Sequence, residues 1–453
     1  MGEKAPRRWY PILMIVMCIK LVLRAAISFR AAPKAIHIAF SQFPSIKNLA
    51  IPTYKSVSRW LAQVGLYKLN SPKEQANDWA LILDNSVQIG PHKFLVILGV
   101  RLSKLKGQAL SFEDMEMLHM AIHEKSDAAS ICKAQEEAQK KVGTVAMVCA
   151  DDGPDIRKGV SLFCQKHNVG RIFDVTHKIG TFLKKFLEKD PQWQAFTSGA
   201  AEAKRKMQQT EAAHLAPPNQ RTKSRFLNIE ILVHWGIDIL VALENSKLPD
   251  KALLEKYCGW VRQHKELLER LKQMALISQK VRQHVREHGV CATTGDQIDK
   301  ILENAMEPMD FNEQACEYAG MLIDFYQEQS QKVPDGQIWV GSSEIIESLF
   351  GKLKSLEQDQ CKGGFTSLVL GAAACVGRVD VDLVKAAMQK IKVADIDAWT
   401  KNQIGITILA KRRKALGVWR KKKKIEKLPK KKKLSENMEH ESTGKHQGKV
   451  MGF

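Results

Sequence analysis

One acid constrains this chain more than any other residue. Asp84 stands inside Trp79-Ala-Leu-Ile-Leu-Asp84-Asn-Ser-Val-Gln-Ile89, a run that otherwise reads as a buried β-strand. A charged carboxylate taken out of water costs several kcal/mol unless it is paired or bound to a metal. The fold must therefore bring a partner to Asp84, and the surrounding pattern indicates where. Gly90-Pro91 marks a turn, and Lys93-Phe-Leu-Val-Ile-Leu-Gly-Val-Arg-Leu102 returns as a second apolar strand, so the two form a hairpin.

The alternation from Met115 to His123 predicts a third strand, and Ser126–Lys141 a helix with Ala128, Ile131, Cys132 and Ala138 on one face. Thr144–Ala150 is a fourth, buried strand ending at Asp151-Asp152-Gly153. A helix over Ile156–His167 and a short strand, Arg171–Val175, follow. Three consecutive strands suit an antiparallel meander, and the helical crossovers suit parallel additions. The predicted fold class is α/β: a ribonuclease-H-like mixed five-stranded sheet with an all-α insertion domain and an α-helical N-terminal domain. Helices are expected over Lys178–Leu187, Phe226–Leu243, Lys251–His284, Gly295–Met306 and Asn312–Gln331, and again over Glu344–Leu356, Phe365–Val376 and Asp380–Ile391. The expected domains are 1–72 (helical, a possible helix-turn-helix), 79–177 and 336–392 (the two parts of the sheet domain), 178–335 (the insertion) and 393–453 (a basic, largely disordered tail).

The 453 residues carry 70 Lys+Arg against 49 Asp+Glu, a net charge of +21 that points to a polyanionic partner, with nucleic acid ahead of an anionic membrane. Residues 411–433 hold 14 Lys/Arg and one Glu, so more than half the excess lies in one segment. Hydrophobic content of 44% excludes a wholly disordered chain. Nine scattered cysteines never form a C-x-x-C pair, which argues for reduced thiols over a disulfide framework or a zinc site. The apolar stretch Tyr10–Ile19 follows Arg7 and Arg8 as a signal peptide would, but Lys20 and Arg24 interrupt it. A buried helix is the better reading, with no membrane partner.

Asp151 and Asp152 stand at the carboxyl edge of a strand, where α/β sheets place their ligands. Glu347 lies on the helix Glu344-Ile-Ile-Glu347-Ser-Leu-Phe-Gly-Lys-Leu-Lys354, with Glu344 one turn earlier on the same face and Lys354 seven residues on. Taken singly, each acid suits a cap or a solvated face as well as a site. Taken together, all-oxygen donors without a thiol suit Mg²⁺ or Mn²⁺, and two such ions can drive phosphodiester chemistry. Glu344 and Asp152 stand as the alternative acids.

These motifs resemble those of a DDE transposase of a prokaryotic insertion sequence. Glu347-Ser-Leu-Phe-Gly-Lys-Leu-Lys354 is similar to the family's Glu-x6-Lys helix, Asp151-Asp-Gly153 to its Asp-x-Gly motif, and Asp174-Val-Thr-His177 to its Cys/Asp-x-x-His motif, with Asp84 in the first-strand position. Val340 and Ser343 replace the Tyr and Arg that precede the Glu in some of its subfamilies. The resemblance implies that Asp84, Asp151 and Glu347 are the catalytic, metal-binding triad, with two Mg²⁺ or Mn²⁺ ions. It further implies double-stranded DNA (transposon ends and target) as partner, a homo-oligomeric transpososome, a cytoplasmic, DNA-associated location and no small-molecule substrate.

Accessory roles fall to Lys354 (a phosphate contact or a solvated lysine) and to His177, which either positions phosphate or water or is a structural histidine bonded to Asp174. Candidate DNA contacts are Lys55 and Arg59 on the helix Thr53–Val64, which Gly65 is expected to cap, Trp235 in the insertion (a base-stacking residue or core) and Lys411, Arg412, Arg413 and Lys414. Two competing readings remain: a non-catalytic nucleic-acid-binding protein and a ribonuclease-H-like nuclease without strand transfer.

Overall fold

The computed structural model describes residues 3–4, 9–42, 50–89, 92–105, 109–123, 127–220, 226, 229–245, 251–307, 310–358 and 365–415. Five strands form one sheet: β1 (Ala76–Ile89), β2 (His92–Arg101), β3 (Glu116–His123), β4 (Gly143–Ala150) and β5 (Gly170–Phe173). Their spatial order is β3-β2-β1-β4-β5. β1 pairs antiparallel with β2, and β2 with β3, whereas β4 runs parallel to β1 and β5 parallel to β4. The mixed meander-plus-parallel sheet expected from the alternation is therefore present. The Gly90-Pro91 turn lies outside the described residues.

The two faces of the sheet are covered differently. Trp79, Leu81, Leu83, Leu95, Ile97, Leu118, Val145 and Val148 point to one face, where α4 (Ala128–Val142) and α5 (Pro154–His167) close over them through Ile131, Ala138, Val160 and Phe163. Ala80, Ile82, Phe94, Val96, Met147, Cys149 and Ile172 point to the other and join the main core. Period-2 alternation sends Asp84 to this second face, two residues beyond Ile82.

The N-terminal helices α1 (Ile12–Leu23), α2 (Ala31–Ser41) and α3 (Tyr54–Asn70) belong to the main core and not to a separate domain: residues 1–408 form one compact unit. Here the structure departs from the expected helix-turn-helix domain. α3 is buried through Val57, Trp60, Leu61, Val64, Leu66 and Leu69, leaving Lys55 and Arg59 on an exposed edge. Gly65 does not end the helix, which continues to Asn70. A Cβ there would lie 1.9 Å from the Leu370 carbonyl oxygen, so glycine serves a close approach and not a cap.

Between β5 and the second half of the sheet domain the described residues are helical: α6 (Val175–Leu187), α7 (Pro191–Met207), α8 (Ile229–Glu244), α9 (Lys251–Cys258), α10 (Lys265–His288), α11 (Thr294–Met306) and α12 (Glu313–Ser330). The expected single helix over 251–284 is broken by a 3-10 turn at Gly259–His264, and α7 is a helix absent from the expected set. These helices pack into the same core as the sheet. Trp339 makes an isolated bridge to Val290, and the chain then enters α13 (Glu344–Gln358), α14 (Leu370–Cys375) and α15 (Val381–Lys390).

The expected disordered tail from 393 begins too early. α16 (Val393–Gln403) is a helix with Ile396 buried, and α17 (Ile408–Ala415) follows. A second unit begins at Leu409; in it Lys411, Arg412 and Lys414 are exposed on α17, while the side chain of Arg413 and everything beyond Ala415 lie outside the described residues. Eight of the cysteines are free thiols, and Cys361 is not among the described residues. Among the described residues no helix is long and apolar enough to cross a membrane.

Candidate active site

Register brings the first two acids together. Leu83 of β1 stands opposite Ala150 of β4 in a parallel pair, so Asp84 and Asp151 follow side by side at the carboxyl edge. Both share the face of Ile82 and Cys149. Ala150 in turn pairs with Phe173, so Asp174 comes next along the same edge, its backbone N–H bonded to the Ala150 carbonyl at 3.1 Å. Three aspartates thus stand level across three adjacent parallel strands, Asp151 and Asp174 just past the ends of β4 and β5 and Asp84 inside the longer β1.

Their environments differ. Asp174 is 1% exposed. It caps α6 by accepting the His177 backbone N–H at 2.8 Å, and its other oxygen accepts the Ser343 N–H just before α13. The Val175 N–H also bonds the Gly341 carbonyl at 3.0 Å. Asp174 is therefore a clasp holding α6 and α13 to the sheet edge. Burial pushes its carboxyl above the usual range, against the pull of the His177 charge and these hydrogen bonds.

α13 is set in place by Ile346, Leu349, Phe350 and Leu353, all buried, with Phe350 6.2 Å from Phe94 of β2 between ring centroids. That stripe leaves Glu347 at the rim. Its Oε1 meets His177 Nε2 at 3.2 Å, and His177 Nδ1 lies 3.8 Å from Asp151 Oδ2. Burial opposes a charge on His177. The bond to Glu347 and the charges of Asp174, Asp151 and Asp84 outweigh it and lift the imidazole to about 9. His177 is thus the local cation among the acids. The sequence left it between a catalytic role and a bond to Asp174; its backbone takes the Asp174 bond while its ring takes Glu347.

Asp84 accepts its neighbour's backbone N–H, Asn85, at 2.6 Å. Burial first, and the Asp151 charge second, raise its carboxyl to about 7. Glu344 faces elsewhere: it accepts from Thr176 Oγ1 and pairs with Arg286 Nε of α10, each at 2.9 Å. Asp152 turns towards Arg171 and Arg157, while Asp151 accepts the Gly153 N–H at 3.0 Å and stays beside His177. The structure accordingly gathers Asp84, Asp151, Glu347 and His177, supported by Asp174, and leaves Glu344 and Asp152 in other pairs.

Lys354 is exposed two helical turns past Glu347, about 10 Å along the axis at 1.5 Å per residue. Trp235 lies far from these acids in sequence and in role. Its indole N–H is spent on the Leu215 carbonyl at 3.0 Å, and its ring packs with Phe196 and Trp260 at 6.5 and 6.3 Å. Arg157 and Lys178, beside the acids, escaped the sequence reading; the signal available was a base shortly after each acidic motif.

The donor chemistry of Asp84, Asp151 and Glu347 suits a hard divalent cation, and two carboxylates forced together at a half-buried edge are what such an ion would relieve. Among the described residues, no three His, Cys, Asp or Glu groups already close on one point as a metal cage; His177 stands between Asp151 and Glu347 instead.

No protein-family model matches the chain, and no curated protein matches it in sequence. Among solved structures, the chain is similar to the Drosophila P element transposase strand transfer complex, with a TM-score of 0.38 and 11% identity, over 85% of this chain and 93% of that one.

Proposed function

We propose that this chain is a metal-dependent DNA transposase of the DDE type, built on a ribonuclease-H-like sheet. The observation that carries the reading is the meeting of Asp84 and Asp151 on adjacent parallel strands, with Glu347 joined to them through His177. The meander-plus-parallel strand order supports it. The reaction is hydrolysis of a phosphodiester at a transposon end, which frees a 3′-hydroxyl, followed by transesterification in which that hydroxyl displaces a 3′-oxygen of target DNA. Asp84, Asp151 and Glu347 would hold two Mg²⁺ or Mn²⁺ ions, whose chemistry when bound is activation of the attacking oxygen and stabilisation of the leaving one.

The protein's own groups do the rest. His177 carries a proton at the ring edge facing Glu347 and keeps that carboxylate turned to the strand ends. Asp174 locks α6 and α13, so His177 and Glu347 keep their spacing. The exposed Lys55, Arg59, Lys411, Arg412 and Lys414 grip phosphate backbone at large.

The test uses duplexes carrying the sequences that flank the coding region, with full-length protein and Mg²⁺ or Mn²⁺. Strand cleavage followed by joining to a second duplex is expected. Asp84→Asn, Asp151→Asn and Glu347→Gln should each lower it at least about 10³-fold while duplex binding persists, as loss of transition-state stabilisation without loss of binding requires. Undiminished cleavage in these variants would overturn the assignment. Cleavage that never leads to joining would reassign the chain as a nuclease.

A further inference from the structure

Asp152 is the acid of the doublet that the proposed chemistry does not use, and three cations face it. Arg157 Nε lies 3.9 Å and Arg171 Nη2 3.7 Å from its Oδ1. Lys178, in the first turn of α6, is attracted by the same carboxylate. Two arginines therefore share the single Asp152 carboxylate, with Lys178 close by.

The three cations are not equivalent. Arg171 is largely buried: it donates to the Arg157 carbonyl at 3.3 Å and to Ser161 Oγ at 3.0 Å, and its guanidinium lies 4.4 Å from the Phe173 ring centroid. It is the counter-ion that occupies Asp152. Arg157 has a side chain 52% exposed. The Lys178 ammonium sits over the rings of Phe173, Phe182 and Phe325, at 5.5, 4.8 and 4.5 Å from their centroids. Aromatic faces orient an ammonium without cancelling its charge. Glu328, the other acid that attracts Lys178, is itself bonded to Lys332 at 2.8 Å. The exposed Arg157, which shares Asp152 with Arg171, and Lys178, seated on aromatic rings, therefore flank the carboxyl edge of β4 and β5, on the helices that follow those strands.

We propose that Arg157 and Lys178 form a phosphate clamp that seats the backbone of the nucleic-acid strand next to Asp151, with Arg171 holding Asp152 as its buried counter-ion. The clamp rests on the polynucleotide reading given above. It gives Asp152 a definite place: its carboxylate tempers the clamp and takes no part at the acids.

The experiment measures duplex binding by the full-length chain in EDTA, by fluorescence anisotropy over a salt series, so that no chemistry enters. Lys178→Gln and Arg157→Gln should each weaken binding roughly 3- to 10-fold and flatten the slope of log K against log salt by about one. Asp152→Asn should shift affinity the opposite way, tightening it. Among the described residues Lys178 Nζ rests on aromatic rings and on no hydrogen bond, so the thermal melt of Lys178→Gln should fall by no more than a few degrees, and a cooperative melt well above the assay temperature excludes misfolding as the cause. Wild-type affinity and slope in both glutamine variants would overturn the clamp, as would weaker binding by Asp152→Asn. So would loss of inorganic phosphate binding with duplex binding intact, which would make this a free-anion site. Because EDTA removes catalysis, these outcomes are independent of whether Asp84, Asp151 and Glu347 are the reacting acids.

Discussion

Lys68 and Asp84 are both ionisable groups set into apolar elements, and the protein treats them in opposite ways. Lys68, on the buried side of α3, donates to the carbonyls of Ala374 and Gly377, each at 3.3 Å, and to that of Val376 between them. Those carbonyls end α14, so the ammonium closes a helix C-terminus with its own donors satisfied. Asp84 lies beside a second carboxylate, Asp151, with His177 the cation nearby, and among the described residues accepts the Asn85 backbone N–H. A buried charge whose partners are all in place is architecture. One pressed against a like charge, its carboxyl still raised despite His177 nearby, is a candidate site.

The largest expected effect breaks the comparison at Asp84. Asp84→Asn removes one of two adjacent negative charges, so the metal-free protein should melt at the same temperature as wild type or a few degrees higher, although on the proposed function the variant should lose cleavage. Function and stability would then move in opposite directions at one residue, as sites built on unfavourable charge do. A melting temperature lowered by several degrees would place Asp84 with Lys68, as structure.

At Lys68 the expectation reverses. Lys68→Met leaves three carbonyls without their donor and should cost about 2–4 kcal/mol, read as a fall in melting temperature on the order of 5 °C. Cleavage by the folded fraction should be retained. Lys68 also has a pH signature. Burial, outweighing the attraction of Cys375 and Glu116, lowers the ammonium from 10.5 to about 8. Between those values the unfolded chain still binds a proton that the folded chain has released. Wild type should therefore gain stability relative to Lys68→Met as pH rises from about 8 to about 10.5, and below pH 8 the offset between the two should be flat. A constant offset across the whole range would mean that Lys68 titrates like an exposed lysine.

Such contrasts also explain what could be read from the residues and what could not. The strands were legible because β1, β2 and β4 are apolar runs and β3 alternates, while Asp84 interrupts the first run from within and Asp151 ends the fourth. α7 carried its own signals, Asp190 followed by Pro191 and then Trp193, Phe196, Ala200, Ala203 and Met207 at helical spacing, but the small alanines make that stripe easy to pass over. Gly65 looked like a helix end because local signals cannot reveal a carbonyl arriving from Leu370, some 300 residues on in the chain. Lys68 and the basic Lys55 and Arg59 lie on one helix, and only packing separates the structural cation from the free ones. α16 was concealed for the same reason: it buries Ile396 and little else, so its residues show no apolar stripe.

Glu344 and Glu347 show that limit at its narrowest, since two acids three residues apart share a helix face and periodicity treats them alike. Their partners do not. Glu344 is enclosed by Thr176 and Arg286, a hydrogen-bonded pair that ties α13 to α6 and α10, whereas Glu347 meets His177 at the rim. Glu344→Gln keeps the size of the side chain and an acceptor for Thr176 but loses the charge opposite Arg286. That pair is partly exposed, so the expected cost is about 1 kcal/mol, with cleavage within a few-fold of wild type. Glu347→Gln at the same helix end should leave stability nearly untouched and remove cleavage. Melting curves and cleavage rates for the two variants separate a helix anchor from a reacting acid. If Glu344→Gln were the inactive one, α13 would have to rotate on binding DNA, and the Arg286 pair would be the latch that holds it until then.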